Sequence, residues 1–411
     1  MFGAYFADSL NRDVQYNIIS AMGSLILISG RDKTWDELID QCPHDVYHLR
    51  SYHQLSELSG HGQPWLAVYR FADFFIAWPY LLRPIGNTGL SDVTSVYGYA
   101  GPVQSAGFAP DTATLRDFWA ALRETWKQQG AVTAFTRFNP LLRNSCKTFP
   151  WDDAGITPLG ETVSMDLMCG DDQTQRNYHG TTRQEIGYAR RAGMSTVEDE
   201  HWLRLDEFIF VYHQTMKRNG AAQEYFFDRE HFQNIKRALG GRAHLMFTSL
   251  NGHVGGAGLF IEQSGFVHAH LVGTATEMLP FSPFKLMIDD VSRWARARGH
   301  TTLHLGGGRG GRSDSLFAFK SRFSKRRHEF FTGRWVLNGH AYESLCEARR
   351  QDAEKRSHVY APDEFFPAYR APSCPVPTNG IMKPLDIPVL VGSFCNAAAH
   401  VPALLPTSVR A

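Results

Sequence analysis

The chain has 411 residues, 43% of them hydrophobic and 20% charged, with a formal net charge of +1. That composition excludes disordered and fibrous classes and leaves length for two domains of roughly 150 residues each plus extensions. Charge is uneven: Arg309 to Arg334 carries eight Lys/Arg against two acids, Asp314 and Glu329, whereas Glu198 to Glu207 is acidic. A local anion site is therefore expected, not a surface coated for nucleic acid throughout.

The apolar patch at 25–28 is far shorter than a membrane span and follows no signal-type core, so neither export nor membrane insertion is expected. Strands are predicted over 65–70, 74–82 and about 93–99. A helix follows in which Leu115, Phe118, Trp119, Leu122 and Trp126 share one face. Gly130 closes that helix and 131–138 returns as a strand.

A second pass of the same pattern begins at His244. An apolar run to Leu250 meets the hairpin dipeptide Asn251-Gly252, a strand follows over 253–262, Gln263-Ser264-Gly265 turns again, and 266–272 is a third strand. Gly255, Gly256 and Gly258 weaken the middle strand or mark a bulge. Ser282-Pro283 reads as a capped helix start, with Phe284, Met287, Ile288, Val291, Trp294 and Ala295 at helical spacing and Gly299 at the end. The strand at 301–305 completes the order strand, strand, strand, helix, strand in both halves. A duplicated α/β (α+β) domain with a mixed, mostly antiparallel sheet flanked by helices is the expected fold, with a cleft between or beside the two copies.

The expected segments are an N-terminal extension (1–34), a first domain (35–160), a second domain (161–348) and a Pro-rich C-terminal extension (349–411), with the domain boundary near 152–166. Cys42, Cys146, Cys169, Cys346, Cys374 and Cys395 lie far apart without C-x-x-C spacing. They read as reduced thiols of a cytoplasmic protein.

The sharpest local feature is the run from Leu303 to Lys320, with Gly306, Gly307, Gly308, Gly310 and Gly311 interleaved with Arg309 and Arg312 and followed by Asp314. Between a strand and a helix such a run lets backbone amides approach an anion, or is simply a turn with solvated arginines. It matches neither a Walker loop nor G-x-G-x-x-G. Lys320 follows Phe317-Ala318-Phe319, an apolar setting that orients an ammonium toward developing negative charge; the bland alternative is a surface lysine. His268 and His270 share a strand without a matching ligand set, so no metal is expected.

Five stretches, in the expected order within a similarity that spans about 35 to 342, resemble the Fem family of aminoacyl-tRNA-dependent peptidyl transferases within the acetyltransferase-like (GNAT-like) superfamily. They are Tyr97-Gly98-Tyr99-Ala100-Gly101-Pro102, Arg137-Phe138-Asn139-Pro140-Leu141-Leu142, Tyr212-His213-Gln214-Thr215-Met216-Lys217-Arg218, His268-Ala269-His270-Leu271-Val272-Gly273-Thr274, and His304 to Gly308 through Phe319-Lys320. The resemblance implies two tandem GNAT-like domains and transfer of an aminoacyl group from aminoacyl-tRNA to an amine acceptor, with no bound cofactor. It places Phe319 and Lys320 at the reaction centre, where Lys320 would stabilise the oxyanion of ester aminolysis without a covalent enzyme nucleophile. Tyr97, Tyr99, Tyr212, Arg183 and Arg218 are candidate substrate contacts, together with the Gly306 to Asp314 turn. The coiled-coil arm of some Fem members is absent.

The rival reading is an acyl-CoA-dependent N-acyltransferase. Against it, GNAT-type CoA sites carry Q/R-x-x-G-x-G/A after the fourth strand, where this chain has 273–282 without it. A non-catalytic tRNA- or peptide-binding protein is the third reading. The acceptor, the amino acid and the oligomeric state are not legible.

Overall fold

The computed structural model describes residues 17–19, 23–144, 155–360 and 365–375. The part of the expected boundary at 152–154, Cys146, Cys395, Ala361-Pro362 and the prolines beyond 375 lie outside them.

The first half runs β1 (Asn17–Ile19), β2 (Ser24–Ser29), α1 (Thr34–Ile39), α2 (Arg50–Leu58), β3 (Gln63–Phe71), β4 (Phe74–Pro84), β5 (Ser91–Thr94), β6 (Val103–Gln104), α3 (Thr112–Gln128) and β7 (Ala131–Arg137). The second runs β8 (Ile156–Asp166), α4 (Asp171–Asn177), α5 (Gly180–Arg191), β9 (Ser195–Glu198), α6 (Leu205–Arg218) and α7 (Arg229–Leu239). It continues with β10 (Ala243–Leu250), β11 (His253–Gln263), β12 (Phe266–Thr274), α8 (Pro283–Ala297), β13 (Thr302–Gly307), α9 (Ser315–Ser321) and β14 (Arg327–Val336). Then come α10 (Gly339–Lys355), β15 (His358–Tyr360) and β16 (Ser373–Pro375).

Local chemistry accounts for the meander. Asn251 and Gly252, then Ser264 and Gly265, take positive φ in two-residue turns that match the twist of β10–β11 and β11–β12. The expected glycine bulge is at Gly255, which is skipped between the pairs Thr248–Gly256 and Ser249–Val254. Asp111 caps α3 by accepting from the Thr114 amide (2.7 Å), and the predicted apolar face of that helix is buried.

The strands form one sheet in the order β1-β2-β3-β4-β5-β7-β14-β8-β13-β12-β11-β10-β9, with β6 beside β4. Most neighbours are antiparallel. β5–β7 and β12–β13 are parallel, each pair joined through one helix, α3 or α8, so the two halves repeat one plan. β14 lies between β7 and β8 and makes the sheet continuous.

Four expectations change. The apolar patch in the supposed N-terminal extension is β2, paired along β3, with Leu25 and Leu27 packed on one side and Ile28 on the other. The strand expected to reach residue 99 stops at Thr94; Gly98 takes a φ of +126°, and a Cβ there would collide with the Tyr47 ring. Ser282 is left-handed and makes no side-chain cap to α8. The boundaries at 160 and 348 fall inside β8 and α10, because β8 pairs with β13 and the amphipathic 339–355 run stays helical past Arg349. Beyond α10, Tyr369 and Arg370 reach back to the buried Asp92 of β5 (3.1 and 2.5 Å), which also accepts from Arg83 (2.7 Å).

The largest apolar core spans both halves. Tyr47, Tyr52 and Leu55 from the first half pack among Phe208, Tyr212, Ile235 and Leu259 from the second. At this seam sits Asp45, fully buried, in the turn before α2. Its carboxylate accepts from the Val46 amide (2.7 Å), from Asn139 Nδ2 (2.7 Å) and from His268 Nε2 (2.9 and 3.0 Å). His268 Nδ1 is in turn 3.2 Å from His304 Nδ1. One of these two ring nitrogens donates to the other, so the run from Asp45 through His268 reaches β13.

Burial pushes the Asp45 carboxyl up, but the adjacent His268, its hydrogen bond and that of Asn139 outweigh this and hold it below the usual carboxylate range. A carboxyl depressed on folding adds stability above its unfolded pKa and loses it as pH falls through the folded one. Asp45→Ala leaves three donors unanswered and should cost about 3–5 kcal/mol in urea unfolding at pH 7. Asp45→Asn should lose part of the stability that the wild type sheds on acidification below about pH 4. A wild-type acid profile in Asp45→Asn would disprove the assignment.

Candidate active site

Pairing of β12 with β13 ends at His268–His304. From there the strands splay, and β12 bulges: Leu259 faces Leu271 while Phe260 faces Ala269, so His270 is the extra residue. A cavity of about 210 Å³ lies along the splayed part of β12. Its walls are mostly apolar and come from β12, α6 (Tyr212, Thr215), α8 (Phe284, Ile288), Leu305 of β13 and α9 (Leu316, Phe319, Lys320), with Tyr97 contributed by the first half.

Asp314 sets α9 by accepting from the Phe317 and Arg309 amides (3.0 and 3.2 Å). Phe319 stacks on Phe284, with ring centroids 5.8 Å apart. Lys320 Nζ donates to the Gly307 carbonyl at 2.6 Å and faces the cavity. Loss of water drives the Lys320 ammonium down to about 7, against a smaller opposing pull from Asp314. His270 is driven down to about 3 by burial and by the nearby His268 and His231, so its imidazole is neutral at physiological pH. The arrangement offers a desolvated ammonium on one largely apolar cavity, which suits stabilisation of an oxyanion, while His270 beside it is too weak a base to take a proton at physiological pH.

Of the sequence candidates, Tyr97, Tyr212, Phe319 and Lys320 come together on this cavity. Arg218 stands behind it, bonded to the Thr274 carbonyl and Thr276 Oγ1 (3.0–3.3 Å), and so ties α6 to the turn after β12. Tyr99 is buried at the seam, its ring edge-on to His304. Arg183 is on α5, exposed and bonded to the Gln175 carbonyl; Arg190 on the same helix pairs with Asp289 and Asp290.

Of the amides expected to cradle an anion between Gly306 and Arg312, those of Arg309, Gly311 and Arg312 are engaged within the turn itself. The turn closes on itself: the amides of Gly311 and Arg312 donate to the carbonyls of Gly308 and Arg309, the Arg309 amide donates to Asp314, and a Cβ on Gly308 would strike the Arg312 carbonyl. The glycines serve compactness, and Gly307 serves Lys320. Arg309 is half-buried near Asp314 and Arg312 is exposed.

His270, Thr215 and Phe284 were not singled out as site residues from the sequence. The bulge at His270 has no residue-level signature, because the strand keeps its apolar pattern through it. Among the described residues no group of three or more His, Cys, Asp or Glu is placed to hold a metal, Cys42, Cys169 and Cys346 are free thiols, and no helix is long and apolar enough to cross a membrane.

Residues 176–321 match the family model of the acetyltransferase (GNAT) domain. The structure is similar to the crystal structure of FemX, with a TM-score of 0.59 at 15% identity over 77% of this chain and 98% of that one. It is also similar to a tandem GNAT protein from the clavulanic acid biosynthesis pathway (TM-score 0.42, 13% identity, 75% and 98% covered). A GCN5-related N-acetyltransferase from Sphaerobacter thermophilus gives 0.36 at 12% identity, with 66% and 80% covered. No curated protein matches at the level of sequence. The chain thus has a GNAT-like fold in the two-half arrangement seen in FemX, and its residues 176–321 are similar to the acetyltransferase (GNAT) domain.

Proposed function

We propose that the protein is an aminoacyltransferase that moves an aminoacyl group from the ester of an aminoacyl-tRNA to an amine, forming an amide. The observation that carries this reading is Lys320: a desolvated ammonium, fixed by the Gly307 carbonyl, on the wall of a mostly apolar cavity. Ester aminolysis needs a donor aimed at the carbonyl oxygen as it becomes an oxyanion, and little else from the enzyme beyond positioning. Phe319 and Phe284 hold the α9 wall in place and keep water from the reacting carbonyl.

The choice of tRNA over acyl-CoA rests on the turn after β12. A pyrophosphate there would need open backbone amides. Instead the Ala275 amide donates to the Gly255 carbonyl, Thr276 to Gln214 Oε1, Met278 to the Ala275 carbonyl and Ser282 to the Leu279 carbonyl. Around α9, by contrast, Arg312, Arg322, Lys325 and Arg326 are exposed and suit a phosphate backbone whose acceptor end reaches Lys320. The match of 176–321 to an acetyltransferase domain favours the second reading, an acyl-CoA-dependent N-acyltransferase at the same cavity.

Filter binding at fixed salt separates the two. Charged tRNA should be retained, more weakly as salt rises, and acetyl-CoA should not. Retention of acetyl-CoA alone would replace the first reading by the second.

Lys320→Met should lower turnover on the order of 100-fold while donor retention stays within a few-fold. The variant should melt no lower than wild type at pH 7, since a lysine held at about 7 when folded destabilises the protein while protonated. Because the charged form is the useful one, wild-type turnover of an acceptor that is already neutral should fall as pH rises through about 7. Wild-type turnover in Lys320→Met, or a rate that climbs through that pH, would exclude the role.

A further inference from the structure

The cavity beside Lys320 reaches both faces of the sheet. Alternate residues of β10 point to opposite sides: Leu245 and Phe247 pack with Phe208 and Tyr212 of α6, whereas Met246 packs with Leu286 and Ile288 of α8. The helices α6 and α8 therefore cover opposite faces. Tyr212, Met216 and Tyr225 line the cavity from the α6 side, and Phe284, Ile288 and Phe319 line it from the α8 side. It thus passes through the sheet where β12 and β13 have parted.

Among the described residues that line this passage there is no Asp, Glu or Arg, and His270 is uncharged, which leaves Lys320 as the one cation on its wall. Polar side chains of the lining turn to the protein. Thr215 Oγ1 donates to the Thr274 carbonyl (3.2 Å) and accepts from the Thr274 amide (2.9 Å), and the Tyr212 hydroxyl donates to the Tyr225 carbonyl (2.8 Å). A cationic group threaded here would lose its water, meet no carboxylate and face the like charge of Lys320. An anionic group would draw Lys320 away from the reacting carbonyl.

We propose, resting on the amide-forming reading above, that the transferred acyl unit carries a large, uncharged, apolar side chain of about benzyl size, threaded between β12 and β13 from Lys320 toward Tyr212. With the carbonyl at Lys320, the leaving oxygen lies outward, toward the exposed Arg312, Arg322, Lys325 and Arg326, and the rest of the acyl unit runs inward along the passage. The bond changes stay those of ester aminolysis. The amine nitrogen bonds to the carbonyl carbon, the ester C–O bond breaks with its electron pair on the leaving oxygen, and that oxygen ends with the proton the amine gives up. Size agrees with the lining: an apolar cavity of about 150 Å³ suffices for benzene, and this one measures about 210 Å³. A methyl side chain would leave most of that space unfilled and forfeit its contacts.

The test charges one tRNA body with phenylalanine, alanine or lysine and measures transfer of each to hydroxylamine by the full chain. Because the tRNA is common to all three, differences report the acyl side chain alone. The kcat/KM for the phenylalanyl group should exceed that for alanyl on the order of 100-fold, and that for lysyl by more. Leu316 lines the passage from α9 and is only half-buried, so Leu316→Trp narrows it with little disturbance of the core. That variant should lose about 10-fold or more in phenylalanyl transfer while alanyl transfer stays within about 2-fold of wild type. The comparison of donors on the wild-type chain stands if the variant does not fold.

Equal transfer of alanyl and phenylalanyl groups, preferred transfer of lysyl, or a folded Leu316→Trp that handles both apolar groups as wild type does would each overturn the proposal. If no charged tRNA serves as donor, phenylacetyl-CoA is compared with acetyl-CoA on the same chain. A preference for phenylacetyl then keeps the threaded apolar group while the tRNA reading alone falls, and equal use of the two removes the proposal. Transfer from neither kind of donor would remove both.

Discussion

A carboxylate sealed from water cannot be left unanswered, and Asp45 is sealed where the two halves of the sheet meet. Its three answers come from three different places in the chain: the amide of Val46, the side chain of Asn139 just after β7, and His268 in the middle of β12. The bond to His268 fixes the first half against the second more narrowly than apolar contact does, since packing tolerates slippage that a buried carboxylate does not, and the bonds from Val46 and Asn139 hold the carboxylate in place for it. The parallel pairing of β12 with β13 ends at His268 and His304, whose rings meet beside that carboxylate. The tie at the seam and the opening of the cavity are therefore neighbouring consequences of one arrangement, with His270 two residues further along.

From that anchor the reactive groups follow geometrically. Where β12 leaves β13 there is a gap that α6, α8 and α9 cover, and the last of these brings Lys320 in from the far side. The closed glycine turn matters because it presents the Gly307 carbonyl to Nζ and leaves Asp314 free to start α9. A longer or bulkier turn would displace the helix and its lysine together. Tyr97 completes the wall from the first half, so the cavity belongs to both halves although most of its surface belongs to one.

The duplicated element order was legible because hydrophobic period, turn dipeptides and terminal glycines are local signals: Asn251-Gly252, the face of α3 and the run of α8 fall where the pattern puts them. That Phe319 and Lys320 sit together among apolar neighbours was legible in the run Phe317-Ala318-Phe319-Lys320, and both line the cavity. Three things were not. The continuity of the sheet depends on β14 leaving the second half to pair with β7, a partnership no local pattern encodes. The glycine run has the composition of an anion loop, and the carbonyls and the carboxylate that three of its amides find are tertiary partners that composition does not name. Asp45 and His270 are single polar residues in stretches whose burial is a tertiary fact.

The two halves share a plan but not a use for it. In the first, β5 and β7 pair as β12 and β13 do, yet the parallel contact resumes further along at Ala100–Phe138. The outer side of β7 is covered as well: α10 and Tyr369 pack over Val132, while Tyr369 and Arg370 are held by Asp92, a fully buried carboxylate on β5. That carboxylate does for the C-terminal segment what Asp45 does for the seam, supplying a fixed acceptor that only certain donors satisfy. With its strands rejoined and β7 covered, the first half supplies walls instead of a second cavity on this pattern: Tyr97 and Tyr52 beside His270, and Asp45 beneath. Divergence between the copies then has a physical reading, in which one copy keeps the gap between its parallel strands and the other spends the same strands on holding that gap in register.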